Sequence, residues 1–423
     1  MPEEKSIFKQ IVEQDELDAL KEKDMDAFSE QIEIDLLSKS ITLPQVKEIC
    51  KKYLYLPDDN IIDFLLAVYL SNFTEGERLW AWLIGPPSVG KTELLRALFS
   101  EVSLVLDSLT TKTLFSGLRI GGRDPSLFKI INNKVLILKD FTKTLSGRGE
   151  DLNLILAQLR NAYDGYFDAR TGAEDKTYHY ETNFTLIAGV TPAIDDHYSI
   201  RQTLGERFIM WRISEIDMEK LSAKVKENRG RKMQVRRELK LNFGAFIKKY
   251  RDIKEQPVLN GTMAAKVGEL AEGATWTRTS VTRFGYTREV RRIPEREGSA
   301  RLFEQLLHLA TSLALVRDSK EVTEQDYAIL YRVALSSIPP ERIQAIELLL
   351  ELTEEVKKED FLNSEFWLET PEISDRLNLP TESTRIILDD LFLLRILHRK
   401  GANPLLWRLD PGFAQRWGRI KPL

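Results

Sequence analysis

One eight-residue stretch, Gly85-Pro86-Pro87-Ser88-Val89-Gly90-Lys91-Thr92, constrains this chain more than anything else in it. A glycine, four residues and then Gly-Lys-Thr is the spacing of a P-loop, whose successive backbone N–H groups curl around one anion. Lys91 would neutralise the β- and γ-phosphates of a nucleotide, and the Thr92 hydroxyl would sit on Mg²⁺. The flanks agree: Leu79 to Ile84 is an apolar run of strand length, and Glu93 to Phe99 has helical spacing. A helix start at that point adds its positive dipole end. We therefore read Gly85, Pro86, Pro87, Ser88, Val89, Gly90, Lys91, Thr92 and Glu93 as a nucleotide-phosphate site rather than a plain Gly/Pro turn.

The chain has 423 residues, 43% hydrophobic and 30% charged, which is room for two or three domains of ordinary globular composition. Its net charge of -4 offers no global attraction to nucleic acid, so any basic partner surface must be local. The single cysteine, Cys50, excludes an intrachain disulfide and a cysteine-based zinc cluster. The N-terminus is acidic, and no apolar run reaches the roughly 18 residues of a membrane span. A cytoplasmic protein without a membrane partner is expected.

In chain order, residues 1 to about 40 carry twelve Asp/Glu against five Lys/Arg and read as a solvated amphipathic arm that could dock a protein partner. Leu43 to Tyr55 and Asn60 to Asn72 follow as two helices. Val102 to Asp107 is a second strand, and Val135-Leu136-Ile137-Leu138 a third, of the continuous apolar kind that a parallel sheet buried on both faces requires. The third strand runs into Lys139-Asp140. An Asp at the end of a strand some fifty residues after a P-loop suits a metal and water site. Two roles remain open for it: the magnesium-side carboxylate placed one residue late, or the water-polarising position with the magnesium carboxylate absent. Leu152 to Tyr163 reads as a helix, Gly165 to Tyr180 as a β-hairpin, Phe184 to Val190 as a strand ending at Thr191, and Leu204 to Trp211 as a short helix running into a fifth strand.

This order of parts, with Gly205-Glu206-Arg207-Phe208 after it, resembles the core of AAA+ ATPases. The hairpin before the strand ending at Thr191 is similar to the helicase-type branch that includes the minichromosome-maintenance helicases, in the setting of bacterial mobile elements or phages. The resemblance covers roughly residues 60–340. It implies ATP and Mg²⁺ as cofactors and a ring-shaped homo-oligomer, such as a hexamer. Lys91 and Thr92 would hold phosphates and metal, Asp140 would serve metal or water, and Thr191 would orient the water. Arg207, or Arg201 in its place, would be the arginine finger reaching a neighbouring subunit. The stretch Glu297 to Tyr327 looks like the helical lid, with Arg301 directed to the γ-phosphate.

Lys224 to Lys254 holds twelve Lys/Arg against three Asp/Glu, and Arg278, Arg283, Arg288, Arg291 and Arg292 follow among Trp276, Phe284 and Tyr286. That pattern suits a nucleic-acid backbone with bases stacked on the rings, against the plainer reading of a solvated helix face. After Pro339-Pro340 and a helix from Glu341 to Glu359, the pattern is helix (Ser364 to Glu369), helix (from Thr370), helix (Thr381 to Leu394) and two short strands, Ile396 to Arg399 and Leu405 to Leu409. It resembles a winged helix, with Arg385, Arg399 and Lys400 as DNA contacts, although Asp389 and Asp390 lie on the same helix.

The expected fold class is thus α/β: an AAA+ P-loop core with a helical lid and a C-terminal winged helix. The boundaries read as 1–58 (acidic helical region), 59–215 (core), 216–340 (lid with basic insertion) and 341–423 (winged helix). The expected function is an ATP-hydrolysing motor or replication initiator acting on DNA, with Arg170 and Lys176 at the hairpin tip meeting the strand. The rivals are a nucleotide-switched DNA-bound scaffold with weak or no hydrolysis, and a protein-remodelling or defence ATPase.

Overall fold

The computed structural model describes residues 41–117, 123–145, 147, 150–171, 176–195, 206–213, 215–253, 255–285, 287–359 and 366–422. The acidic arm up to residue 40 and Arg201 lie outside the described residues. The chain forms two compact units, one of residues up to 257 with 311–320, the other of residues 258–310 and 321–423. No helix among the described residues is long and apolar enough to cross a membrane.

The first unit is α/β. Helices α1 (Leu43–Tyr53) and α2 (Asn60–Leu70) precede strand β1 (Trp80–Ile84), helix α3 (Lys91–Ala97), strand β2 (Ser103–Leu106) and the short helix α4 (Thr111–Leu114). Then come β3 (Val135–Leu138), the short helix α5 (Thr142–Leu145), α6 (Glu150–Tyr163), β4 (Tyr166–Thr171), β5 (Lys176–Glu181), β6 (Thr185–Val190), β7 (Phe208–Arg212), α7 (Met218–Glu227) and α8 (Lys232–Lys248). Five of these strands form one sheet in the order β2-β3-β6-β1-β7, and every neighbouring pair is parallel. Strands buried on both faces must be apolar throughout. Trp80 to Ile84, Val135 to Leu138 and Thr185 to Val190 are accordingly buried at every position.

Helix α2 is apolar all round and buried from Ile61 to Leu70, packing against β6, with Phe64 stacked on Trp211 at 5.2 Å. Its one charge, Asp63, is fully buried and answered by Lys47 and by Arg317, whose Nη2 lies 2.9 Å away. A buried carboxylate is tolerable only with such partners. Helix α8 packs on both α1 and α3, which keeps the two helices after the sheet with the first unit.

Strands β4 and β5 form a separate antiparallel hairpin whose register pairs Thr171 with Lys176. Its inner face joins Phe167, Tyr178 and Tyr180 to Phe115 and Phe128. The Tyr180 hydroxyl donates to Asp124 Oδ2 at 2.5 Å.

The second unit begins with α9 (Gly261–Arg278). Helix α10 (Ala300–Val316) follows, divided between the two units at residue 310, then α11 (Glu324–Ser336) and α12 (Pro340–Glu359). Strand β8 (Leu368–Glu369), helices α13 (Thr370–Leu377) and α14 (Thr381–Leu393), strands β9 (Leu397–Lys400) and β10 (Leu406–Leu409) and helix α15 (Pro411–Ile420) complete it. The three strands make an antiparallel sheet in the order β8-β10-β9.

One sequence expectation is corrected here. The helix expected over Ser364 to Glu369 is, in its described part, strand β8, because Leu368 and Glu369 pair with Trp407 and Leu406. The helix expected from Thr370 is α13, where the Thr370 hydroxyl accepts the buried Trp407 indole N–H at 2.8 Å and Glu369 takes the cap position.

Candidate nucleotide site

The strand order determines where a ligand can sit. From β1 the chain leaves toward β2 at one edge, whereas from β6, the neighbour of β1, it leaves toward β7 on the other side. Connections diverging from adjacent parallel strands open a crevice at their carboxyl ends. Gly85 follows β1 and Thr191 follows β6, so both sequence-predicted residues flank this crevice. Asp140 follows β3, the next strand along.

These three strand ends are laced together. The Gly85 N–H donates to Val190 O at 3.2 Å, and the Phe141 N–H to Gly189 O at 2.8 Å. The Thr191 N–H donates to Thr142 Oγ1 at 2.9 Å. The crossing at Gly189 leaves no space for a side chain. A Cβ there would lie 2.7 Å from Lys139 O and 3.0 Å from Leu95 Cδ1.

Within the loop, Ser88 and Gly90 adopt φ of 65° and 86°, the left-handed region that glycine reaches without strain. Pro86, Pro87, Ser88 and Thr92 are exposed, and Val89 is buried as the loop's anchor. The Lys91 ammonium donates to Gly85 O and Pro86 O, both at 2.5 Å. Burial lowers its pKa below the ordinary 10.5, while the nearby Asp140 charge acts in the opposite direction. Asp140 itself is exposed. Its neighbour Lys139 pairs with Asp107 Oδ1 at 2.8 Å, so one carboxylate stands at the end of β3.

A cleft of about 860 Å³ opens over the loop. Its lining brings together Pro87 to Glu93, Asp140 and Thr191, as expected, and adds residues that the linear reading did not assign to it. Tyr53, Leu54 and Tyr55, with Leu221 and Val225 of α7, add apolar surface to the lining. Lys224, Arg229, Lys232 and Arg236 carry positive charge into the same space. With Lys91 and Lys139 that makes six cations against Glu93 and Asp140, a balance that favours a polyanion.

Arg236 is held by a two-pronged ion pair with Glu93, 2.8 Å from Nε to Oε2 and 2.7 Å from Nη2 to Oε1. Burial alone would raise the Glu93 carboxyl, yet the Arg236 guanidinium holds it below the ordinary carboxylate range. The basic run from Lys224 was read as a nucleic-acid stretch. The signal that could have reassigned part of it is the spacing of Lys232 and Arg236, four apart on one helix face.

The remaining predicted residues lie elsewhere. Arg207 is 7% exposed: its guanidinium stands 5.3 Å over the Tyr163 ring and 3.5 Å from Asp164 Oδ1 of its own chain. Arg301 is an exposed residue at the start of α10 in the second unit and is not among the residues that line the cleft. Arg170 and Lys176 are exposed near the hairpin tip, with the Lys176 ammonium 5.6 Å from the Tyr178 ring centre.

In the second unit Arg385 is paired with Glu382 at 2.6 Å and Asp389 at 3.4 Å, and Arg399 with Asp389 at 2.7 Å. Lys400 lies 4.2 Å over the Trp367 ring. Of the basic and aromatic residues from Trp276 on, Phe284, Arg288, Arg291 and Arg292 are exposed, Tyr286 lies outside the described residues, and the others make contacts within the unit. Arg278 pairs with Glu297, Arg283 with Asp390, and the Trp276 indole donates to Leu394 O.

The sequence matches no model of a known protein family and no curated protein.

Proposed function

We propose that this chain binds and hydrolyses ATP as an AAA+ protein of the helicase-type branch, working as a homo-oligomeric ring on DNA in the manner of a motor or replication initiator. The observation that carries the reading is the convergence of a Gly85 to Thr92 loop, Asp140 and Thr191 at the one crevice that the strand order creates. The group fits the residues present: a cleft of about 860 Å³ lined by apolar and cationic side chains has the size and polarity that a nucleoside triphosphate needs.

In this reading Lys91 leaves the loop carbonyls for the β- and γ-phosphates, and Thr92 and Asp140 hold the metal. Mg²⁺, when bound, neutralises charge developing on the transferred phosphoryl group. Thr191, on the strand next to the loop, orients the attacking water. Lys232 and Arg236 stand on the lining where a lid cation is needed, a role that the family likeness would give to Arg301. Arg207 would act in trans, which requires it to leave Tyr163 and Asp164. The helix, helix and hairpin of α13, α14, β9 and β10 support a winged-helix reading, with Arg385, Arg399 and Lys400 as its candidate contacts and Arg170 and Lys176 as those of the core hairpin.

A second reading has its own support. With Lys139 committed to Asp107, a single carboxylate serves the end of β3. That favours a nucleotide-switched scaffold that assembles on DNA and hydrolyses slowly.

Steady-state ATPase measurements with single-stranded, duplex and no DNA separate the two. The motor requires DNA-stimulated turnover, lost in Lys91→Ala and reduced about 100-fold in Asp140→Ala. Absence of turnover with ATP-dependent assembly on DNA intact leaves the scaffold. Wild-type turnover in Asp140→Ala removes the carboxylate from the mechanism.

A further inference from the structure

We infer that the second unit holds one unpaired nucleotide of a nucleic-acid strand between helices α9 and α15, with the base in an aromatic cavity and its phosphate on the arginines at the mouth. This rests on the nucleic-acid partner proposed above and adds a contact that none of its candidate residues makes.

Helices α9 and α15 pack on each other, and residues of both line a cavity of about 210 Å³. Its lining is largely aromatic. The Trp276 ring meets Phe413 edge-on at 5.3 Å, and Phe413 stacks on Trp417 at 5.2 Å. A pocket for a whole drug-sized ligand takes roughly 300–1,000 Å³. This smaller cavity suits a single flat ring system, with any charged group left outside.

One polar group on the lining is unanswered. Trp417 is 1% exposed, and its indole N–H has no acceptor among the described residues. A buried donor left without a partner is costly, and a bound group is one way to satisfy it. Trp276 differs: its indole N–H donates to Leu394 O at 2.6 Å, so it has only its ring to offer. A nucleobase brings both a face for that ring and carbonyl or ring-nitrogen acceptors for Trp417.

The mouth carries the positive charge. Arg296 lies 3.7 Å over the Trp276 ring and Arg416 5.8 Å from it. Arg395, which follows α14, is near enough to repel Arg296, as Arg416 does, while Glu272 attracts it. Glu272 also faces Arg416 at 3.5 Å, and Glu269 pairs with Arg419 at 3.2 Å. Arg296, Arg395 and Arg416 are all exposed. Three guanidinium groups thus share Glu272, an excess of positive charge that a phosphate relieves. An unpaired strand presents a base beside each phosphate. A duplex keeps its bases stacked inside, and an acidic peptide brings charge without a base, so the commitment is to a single strand.

The test is fluorescence anisotropy of the full chain, without nucleotide, on labelled oligothymidine, on an abasic strand of equal length and on a duplex. Oligothymidine should bind most tightly, and the abasic strand roughly 5- to 100-fold more weakly. Trp417→Phe, which keeps a ring and removes the N–H, should weaken oligothymidine and leave the abasic strand unchanged. The pair Arg296→Gln with Arg395→Gln should lower the salt slope by roughly 1.4, two phosphate contacts at about 0.7 each. If Trp417→Phe fails to fold, the abasic strand and the Gln pair decide the matter. Equal affinity for the abasic strand and oligothymidine would overturn the inference, as would a wild-type slope in the Gln pair or a preference for duplex. Loss of single-strand binding only in Arg170→Ala with Lys176→Ala would overturn this site while leaving the DNA reading intact. Binding to none of the three probes would end both.

Discussion

At the scale of single residues, Lys91 shows how the candidate site is tuned. Its ammonium rests on two loop carbonyls, and burial depresses its pKa below 10.5. A lysine whose folded pKa lies below the unfolded value binds fewer protons when folded between the two values. Its contribution therefore opposes folding at lower pH, and the deficit is relieved as pH rises toward 10.5. A triphosphate placed against the amine reverses the shift, because a nearby anion favours the charged form. Binding of ATP should thus be accompanied by proton uptake that grows as pH rises toward 10.5. Calorimetry in two buffers of different ionisation enthalpy measures it directly. Equal uptake in Lys91→Met would assign the proton to another group.

At the scale of elements, the site depends on how closely β3, β6 and α3 approach, and Gly189 is where that approach is tightest. Gly189→Ala should destabilise the first unit by about 1–3 kcal/mol through overpacking, read from urea unfolding. Because the added methyl presses on Lys139 O, the same variant should lose ATPase out of proportion to its stability. Turnover that falls only as far as the folded fraction would show that Asp140 does not need this contact.

Most elements were legible in the residues. Apolar Trp80 to Ile84 and Val135 to Leu138 can only be strands buried on both faces, and α2 is apolar on every side because it is enclosed. Strand β8 was not legible: its pairing partner, Trp407, lies about forty residues along the chain. Helix α15, absent from the sequence reading, buries Phe413 and Trp417, and its Ile420 carbonyl accepts from the Tyr327 hydroxyl at 2.7 Å.

At the scale of the whole molecule, the proposed ring turns on Arg207. In the single chain it is buried over Tyr163, a contact worth about 0.5–2 kcal/mol, which a neighbouring nucleotide would have to repay. Lys91→Ala subunits retain Arg207, and Arg207→Ala subunits retain Lys91. If active sites are completed between subunits, each variant alone should fall at least 1,000-fold in ATPase, and a mixture of the two should rise at least about tenfold above either. A mixture no better than its components would confine Arg207 to a packing role beside Tyr163.

What the sequence by itself determined is local: a glycine-containing loop of P-loop spacing from Gly85 to Thr92, the apolar strands around it, a hairpin, and a carboxylate at the end of the third strand. Spacing and periodicity carry that much because a loop, a strand or a helix face involves neighbours only a few residues apart. Only the tertiary structure decided which strand ends meet, that Lys232 and Arg236 line the cleft while Arg207 is covered by Tyr163 and Asp164, and that Glu382 and Asp389 hold Arg385. Strand order and ion pairing join residues far apart in the chain, and the charge of a residue does not reveal which partner will claim it.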